Sequence, residues 1–227
     1  MQVTEDYQQI SSGFSWQEID TVFLDLDGTL LDKYFDDYFW QEFVPEVFAR
    51  ENRVDKAAAK TKLISTYKKI EDTLEWTDLD YWSGELCLDI PMLKKEISHL
   101  IALRPQVIEF LEYLEANRKK TYLVTNAHPK TLEVKLEKID ITKHFTAIFC
   151  SKDIGSAKEQ PEFWTGLQEL LPFNRHRTLF VDDTERVLQS ARNYGLSHLI
   201  HIAQPSSQLP ATFSTDFRSI LNFQELM

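Results

Sequence analysis

Cysteine is scarce in this chain of 227 residues: Cys87 and Cys150 stand far apart and in no metal-binding spacing. That disfavours a disulfide framework and a thiolate metal site, and a reducing cytoplasm fits. Long apolar runs are missing too, since none approaches the roughly 18 residues of a membrane helix. The first residues, MQVTEDYQQISSGFSW, hold no apolar core of a signal peptide, so a soluble protein is expected. Nor is there a Pro/Gly/Ser-rich stretch long enough to read as a linker, with Gly at 6 and Pro at 8. Positive charge is the minority sign: Lys plus Arg number 25 against 36 Asp plus Glu, a net charge of −11. Such a surface disfavours nucleic acid as the partner. A small anionic substrate stays open if a metal or a few placed cations neutralise it locally.

What is present is an ordinary globular composition, 43% hydrophobic and 27% charged, long enough for one core fold with a sizeable insertion. Five short apolar runs read as buried strands: Thr21 to Asp25, Thr121 to Thr125, Thr146 to Cys150, Thr178 to Asp182 and His198 to Ile202. They are continuous rather than alternating, as strands covered on both faces are. Between them lie helical stripes: Val107, Phe110, Leu111 and Leu114; Leu132, Leu136 and Ile139; Phe163, Leu167 and Leu170; Val187, Ala191 and Tyr194 before Gly195. Alternating strand and helix implies an α/β fold with a parallel sheet and right-handed crossovers.

The first two strands are separated by about 95 residues, far more than one crossover needs. The segment 34–102 has no convincing strand but carries a helical stripe at Leu63, Tyr67, Ile70 and Leu74. It reads as a small helical cap domain above the carboxyl end of the first strand, with 1–33 and 103–227 forming the core.

Three runs stop on a polar residue, Asp25, Thr125 and Asp182, with Asp27, Asn126 and Asp183 following closely. In a parallel sheet these ends share one edge, where open α/β folds bind ligands. Any one of them alone reads as a turn or helix cap, and Lys158 alone as a solvated lysine. Clustered carboxylates without Cys or His favour a hard, oxygen-preferring cation such as Mg²⁺. With such a metal in place a carboxylate can approach a phosphoryl group, one Asp attacking while another serves as acid and base.

The run Asp25-Leu26-Asp27-Gly28-Thr29-Leu30 after an apolar strand resembles the first motif of the haloacid dehalogenase superfamily. Thr125-Asn126 resembles its second motif, Lys158 its third and Val181-Asp182-Asp183 its fourth, in order across roughly residues 20 to 195. The resemblance implies a Rossmann-like parallel core with an inserted helical cap, and a Mg²⁺-dependent phosphatase. It makes Asp25 the nucleophile and a metal ligand, and Asp27 the acid/base and a ligand through its backbone carbonyl. It makes Thr125 and Asn126 the phosphate holders, Lys158 the charge neutraliser, and Asp182 with Asp183 the rest of the metal shell. One position departs: Glu159 stands where a proline commonly follows the lysine, which leaves neighbouring Lys152 as the fallback.

The inserted segment is dense in aromatics, among them Tyr38, Trp40, Trp76, Tyr81 and Trp82. Most read as core of a small helical domain, with one or two free to stack on a base. His128, just before Pro129, reads equally as a substrate contact or a turn residue. FDDYFW, LDYWS and TNAHP resemble the bacterial GMP/IMP nucleotidases of this superfamily, implying a purine nucleoside 5′-monophosphate as the small phosphorylated partner. The rivals are a sugar-phosphate phosphatase or phosphomutase of the same fold, a haloacid dehalogenase, and a non-catalytic binding protein. No feature of the sequence signals an oligomeric state.

Overall fold

Each apolar run becomes a strand of one six-stranded, all-parallel sheet: β1 (Thr21–Leu24), β2 (Lys120–Thr125), β3 (Ala147–Cys150), β4 (Thr178–Asp182), β5 (His198–Ile202) and β6 (Arg218–Ile220). The computed structural model describes residues 15–71 and 73–227. The order across the sheet is β3-β2-β1-β4-β5-β6, so β1 lies between β2 and β4. β6 was not expected from the sequence. Its three residues, Arg218-Ser219-Ile220, have no apolar run to mark them, and they become a strand by pairing with Ile200–Ile202.

The helices between β1 and β2 are α1 (Tyr34–Tyr38), α2 (Val44–Asn52), α3 (Lys56–Ile70), α4 (Leu74–Thr77), α5 (Leu79–Leu86) and α6 (Ile90–Glu96). A π-helical segment, Phe39–Phe43, joins α1 to α2. Its physical cause is at hand: Pro45 has no N–H to donate to the Gln41 carbonyl, so the helix widens there. The expected stripe divides. Leu63 and Tyr67 are buried on α3, whereas Leu74 starts the separate α4 capped by Thr73. Trp40, Tyr67, Trp76 and Trp82 pack together with ring centroids 5.0 to 6.0 Å apart, mostly edge to face. Each such contact adds about 0.5–1.5 kcal/mol beyond burial.

The remaining helices follow the sequence stripes: α7 (Val107–Ala116), α8 (Pro129–Lys138), the short α9 (Ser151–Ile154), α10 (Pro161–Leu170) and α11 (Glu185–Tyr194). Leu170, read as part of a buried stripe, is instead exposed at the last position of α10. Gly195 ends α11 at φ +108°, a backbone conformation that costs glycine little. Strand residues alternate between two cores. Val22, Leu24, Leu123 and Leu179 join α7 and the inserted helices, while Phe23, Tyr122, Val124 and Phe180 pack on α10 and α11. Burial on both faces is why the strands read as unbroken apolar runs.

Candidate active site

The pairing register brings the polar strand ends together. Leu24 pairs with Val181, so Asp25 and Asp182, the next residue on each strand, sit side by side, and the Asp25 amide donates to the Val181 carbonyl at 3.1 Å. Lys158, 2% exposed, reaches both: its Nζ donates to Asp25 Oδ1 at 2.5 Å and to Asp182 Oδ2 at 2.6 Å. Burial would discharge this ammonium, but Asp182 and Asp25 outweigh burial and push its pKa up. The loop holding Lys158 is anchored at both faces of its backbone. Its N–H donates to Asn126 Oδ1 at 2.9 Å, and its carbonyl accepts from Trp164 Nε1 at 3.0 Å. Lys152, the alternative, lies elsewhere, with Nζ 3.2 Å from Asp78 Oδ2 and 2.8 Å from His128 Nε2.

Burial raises the pKa of Asp25 and raises that of Asp182 well above the usual carboxylate range, Lys158 offsetting part of it in each case. Asp183 adds a third carboxylate, and oxygens of Asp25, Asp182 and Asp183 lie within 4.8 Å of one another. Lys33 donates to Asp183 Oδ2 at 2.7 Å. This all-oxygen donor set, carrying more negative charge than its lysines comfortably neutralise, fits a hard divalent cation. Gly28 is required beside it: at φ +92°, a Cβ there would meet Asp183 Oδ2 at 2.6 Å. A second acid and histidine group, Asp78, Asp80 and His128, is already balanced by Lys152 and by Lys130, which donates to Asp80 Oδ1 at 2.5 Å.

Asp27 has a different setting. Burial pushes its pKa up to about 6, the Lys135 ammonium pulling the other way. Lys135, on α8, donates to Asp27 Oδ1 at 2.5 Å and to Asp36 Oδ2 at 2.6 Å, and Asp36 Oδ1 accepts from Lys94 at 2.8 Å. The sequence reading missed these three partners, because a helical lysine is read by default as solvated. The one available signal was position: Lys135 adjoins Val134 and Leu136, on the margin of the apolar stripe of α8.

At the end of β2, Thr125 is buried and its hydroxyl accepts from the Ala127 amide at 3.0 Å. Asn126 Nδ2 donates to Glu159 Oε2 at 2.8 Å, so the residue in the proline position ties the Asn126 loop to the Lys158 loop.

A cavity of about 660 Å³ lies over these groups. Asp25, Asp27, Thr125, Asn126, Lys158, Asp182 and Asp183 line its floor, and inserted-helix residues including Trp40, Gln41, Tyr67, Lys68 and Trp76 line its walls. The structure thus brings every core residue named from sequence to one place. Of the aromatic candidates, Trp40 lines the cavity, whereas Tyr38, Tyr81 and Trp82 do not. Trp82 is wholly buried, its indole donating to the Trp76 carbonyl at 2.9 Å, and it fills the insert's own core. Trp76 takes the wall position instead. His128 also lines the cavity, and its Nδ1 accepts from the Lys130 amide at 3.3 Å as the cap of α8.

Residues 19–195 match the family model of the haloacid dehalogenase-like hydrolases. The chain is 40% identical over 193 residues to the GMP/IMP nucleotidase YrfG of Escherichia coli, an alignment covering 85% of this chain and 87% of that protein. It is 19% identical to a phosphorylated carbohydrates phosphatase of Thermotoga maritima, over 92% of this chain and 97% of the other. Among solved structures, a phosphatase of the same superfamily from Thermococcus onnurineus superposes with a TM-score of 0.75 at 22% identity, covering 92% of this chain and 96% of that one.

Proposed function

Because the chain belongs to the haloacid dehalogenase-like hydrolases, we propose that it is a Mg²⁺-dependent phosphomonoesterase, acting through a phosphoaspartyl intermediate on purine nucleoside 5′-monophosphates, GMP and IMP. The observation that carries the chemistry is the meeting of Asp25, Lys158 and Asp182 beneath the cavity, with Asp27 beside them. The 40% identity to a GMP/IMP nucleotidase supports the substrate.

In this reading Asp25 attacks phosphorus. A carboxylate needs no base to become a nucleophile, and Lys158 at 2.5 Å favours its ionised form against burial. Asp27, with its pKa pushed up to about 6, is closer to neutrality than an ordinary carboxyl, so a protonated fraction persists there to deliver a proton to the departing ribose oxygen. The resulting carboxylate then takes a proton from the water that opens the phosphoaspartate, releasing phosphate and restoring Asp25. Thr125 and the amides following it hold the phosphoryl oxygens, and Lys158 offsets their charge. Asp25, Asp182, Asp183 and the Asp27 carbonyl would hold Mg²⁺, which when bound neutralises phosphate charge. The inserted helices, proposed as a cap domain spanning 34–102, close the leaving-group side and exclude water. Trp40 and Trp76 on the cavity wall offer faces on which a purine can stack.

A panel of nucleoside monophosphates and sugar phosphates, assayed for phosphate release with Mg²⁺ and with EDTA, tests both halves. The expected outcome is metal-dependent turnover with GMP and IMP preferred. Preference for sugar phosphates would overturn the substrate, and undiminished turnover in EDTA would overturn the metal dependence.

A further inference from the structure

The reaction proposed above uses Asp27 and leaves two buried lysines and a partly buried aspartate beside it unexplained. Lys135 and Lys94 are each 1% exposed, and Asp36 lies between them. A buried lysine is costly unless paired, and one placed against a general acid is costlier still to keep without a use. The four side chains form one chain of alternating sign: Lys94 Nζ to Asp36 Oδ1 at 2.8 Å, Asp36 Oδ2 to Lys135 Nζ at 2.6 Å, and Lys135 Nζ to Asp27 Oδ1 at 2.5 Å. They come from three elements, α6, α1 and α8, and end on the loop after β1. The Lys94 end is enclosed by the rings of Phe35, Phe39 and Trp40, 4.4 to 5.6 Å from its ammonium.

We propose that Lys135 is a positioning residue for proton donation by Asp27 to the leaving group, and that Asp36, anchored by Lys94, holds Lys135 in that role. The geometry provides the reason. Lys135 occupies only Oδ1 of Asp27, and among the described residues Oδ2 has no hydrogen-bond partner, so the carboxyl is turned with one oxygen fixed and one available to the cavity it lines. Charge supplies the second reason: Lys94, Asp36 and Lys135 together place one net positive charge beside Asp27, which suits an arriving phosphate dianion. As Asp25 bonds to phosphorus and the P–O bond to the ribose oxygen breaks, Asp27 gives its proton to that leaving oxygen and the new carboxylate lies against Lys135. In the second step, water forms the bond to phosphorus, its proton goes to Asp27, and the Asp25 carboxylate leaves. Lys135 thus meets a carboxylate between the steps and a carboxyl before and after them. Neither lysine touches the reacting phosphorus in this scheme, so the effect passes through Asp27 alone.

This rests on Asp27 being the acid, and the experiment separates the two claims by varying the leaving group. A nucleoside 5′-monophosphate expels an alkoxide that needs a proton, whereas p-nitrophenyl phosphate expels a stable phenolate that does not. With saturating Mg²⁺, Lys135→Met is expected to lower kcat on GMP by about 10²-fold, with KM within a few-fold of the parent, and to lower kcat on p-nitrophenyl phosphate at least about tenfold less. Lys135→Arg restores most of the GMP rate, and Asp36→Asn shows the same selective loss at smaller size. Turnover of the aryl phosphate by the same preparation reports that the variant is folded. Should Lys135→Met not fold, the Asp36→Asn ratio decides alone. Equal loss on both substrates, no loss, or a loss confined to KM overturns the proposal. Asp27→Asn is the reference: if it discriminates and Lys135→Met does not, only the present inference falls, and if it does not discriminate, the acid role of Asp27 falls with it.

Discussion

Asp25 and Asp27 are separated by one leucine, yet they stand in different surroundings, as the two roles proposed for them require. Asp25 shares Lys158 with Asp182 and lies near a third carboxylate, Asp183, whereas Asp27 faces Lys135 and is backed by the Asp36 and Lys94 pair. Replacing the proposed nucleophile, Asp25→Asn, is expected to reduce phosphate release from GMP to about a thousandth of the parent rate or less, measured by phosphate assay under saturating Mg²⁺. Asp25 and Asp182 were legible in the sequence because each ends an apolar run, where a charge is out of place unless it serves an edge of the sheet, and Asp27 and Asp183 because they follow closely. Lys158 was legible only through its motif. Lys135, Lys94 and Asp36 were not legible, since nothing local distinguishes a buried, paired lysine from a solvated one; the pairing is made by residues about 60 to 110 positions apart.

At the scale of elements, the turn after β1 is the tightest constraint. Gly28 sits at φ +92°, its amide donates to the Leu31 carbonyl at 2.8 Å, and Asp183 from the β4 side fills the space a Cβ would need. Gly28→Ala is expected to cost about 1–3 kcal/mol from backbone strain, with a further loss as Asp183 is displaced. Thermal unfolding and the Mg²⁺ dependence of turnover measure the two parts separately. The strand-end Cys150 shows how burial sets pH behaviour. Burial, then Asp153, pushes its thiol up from 9.0 to about 11. The unfolded chain therefore ionises this thiol first as pH rises, and stability present below pH 9 is lost between about 9 and 11. Melting temperatures over that range should fall less steeply for Cys150→Ala than for the parent. The strands themselves were legible from continuous apolar runs, and the helices from stripes of period near 3.6. β6 was not, because its strand character comes from pairing with β5 rather than from its own residues.

At the scale of the whole molecule, three carboxylates are gathered at the sheet edge of a chain whose net charge is −11. A cation bound there only in the folded state adds stability by linkage, about 2.7 kcal/mol at a concentration a hundredfold above its dissociation constant. Mg²⁺ is accordingly expected to raise the melting temperature by several degrees, at about 2–4 °C per kcal/mol for a chain of this size, and Asp182→Asn to remove most of that rise in the same thermal scan. The sequence by itself determined the parallel α/β core, the helical character of the insert and the strand-end carboxylates, because apolar periodicity and chain connectivity are local properties. Which aromatics face the cavity, that Trp82 is core while Trp76 is wall, and that Lys135 and Asp36 reach Asp27 were decided only by tertiary structure. Those facts depend on how the inserted helices pack over the sheet, and packing brings together side chains whose neighbours in sequence carry no trace of the contact.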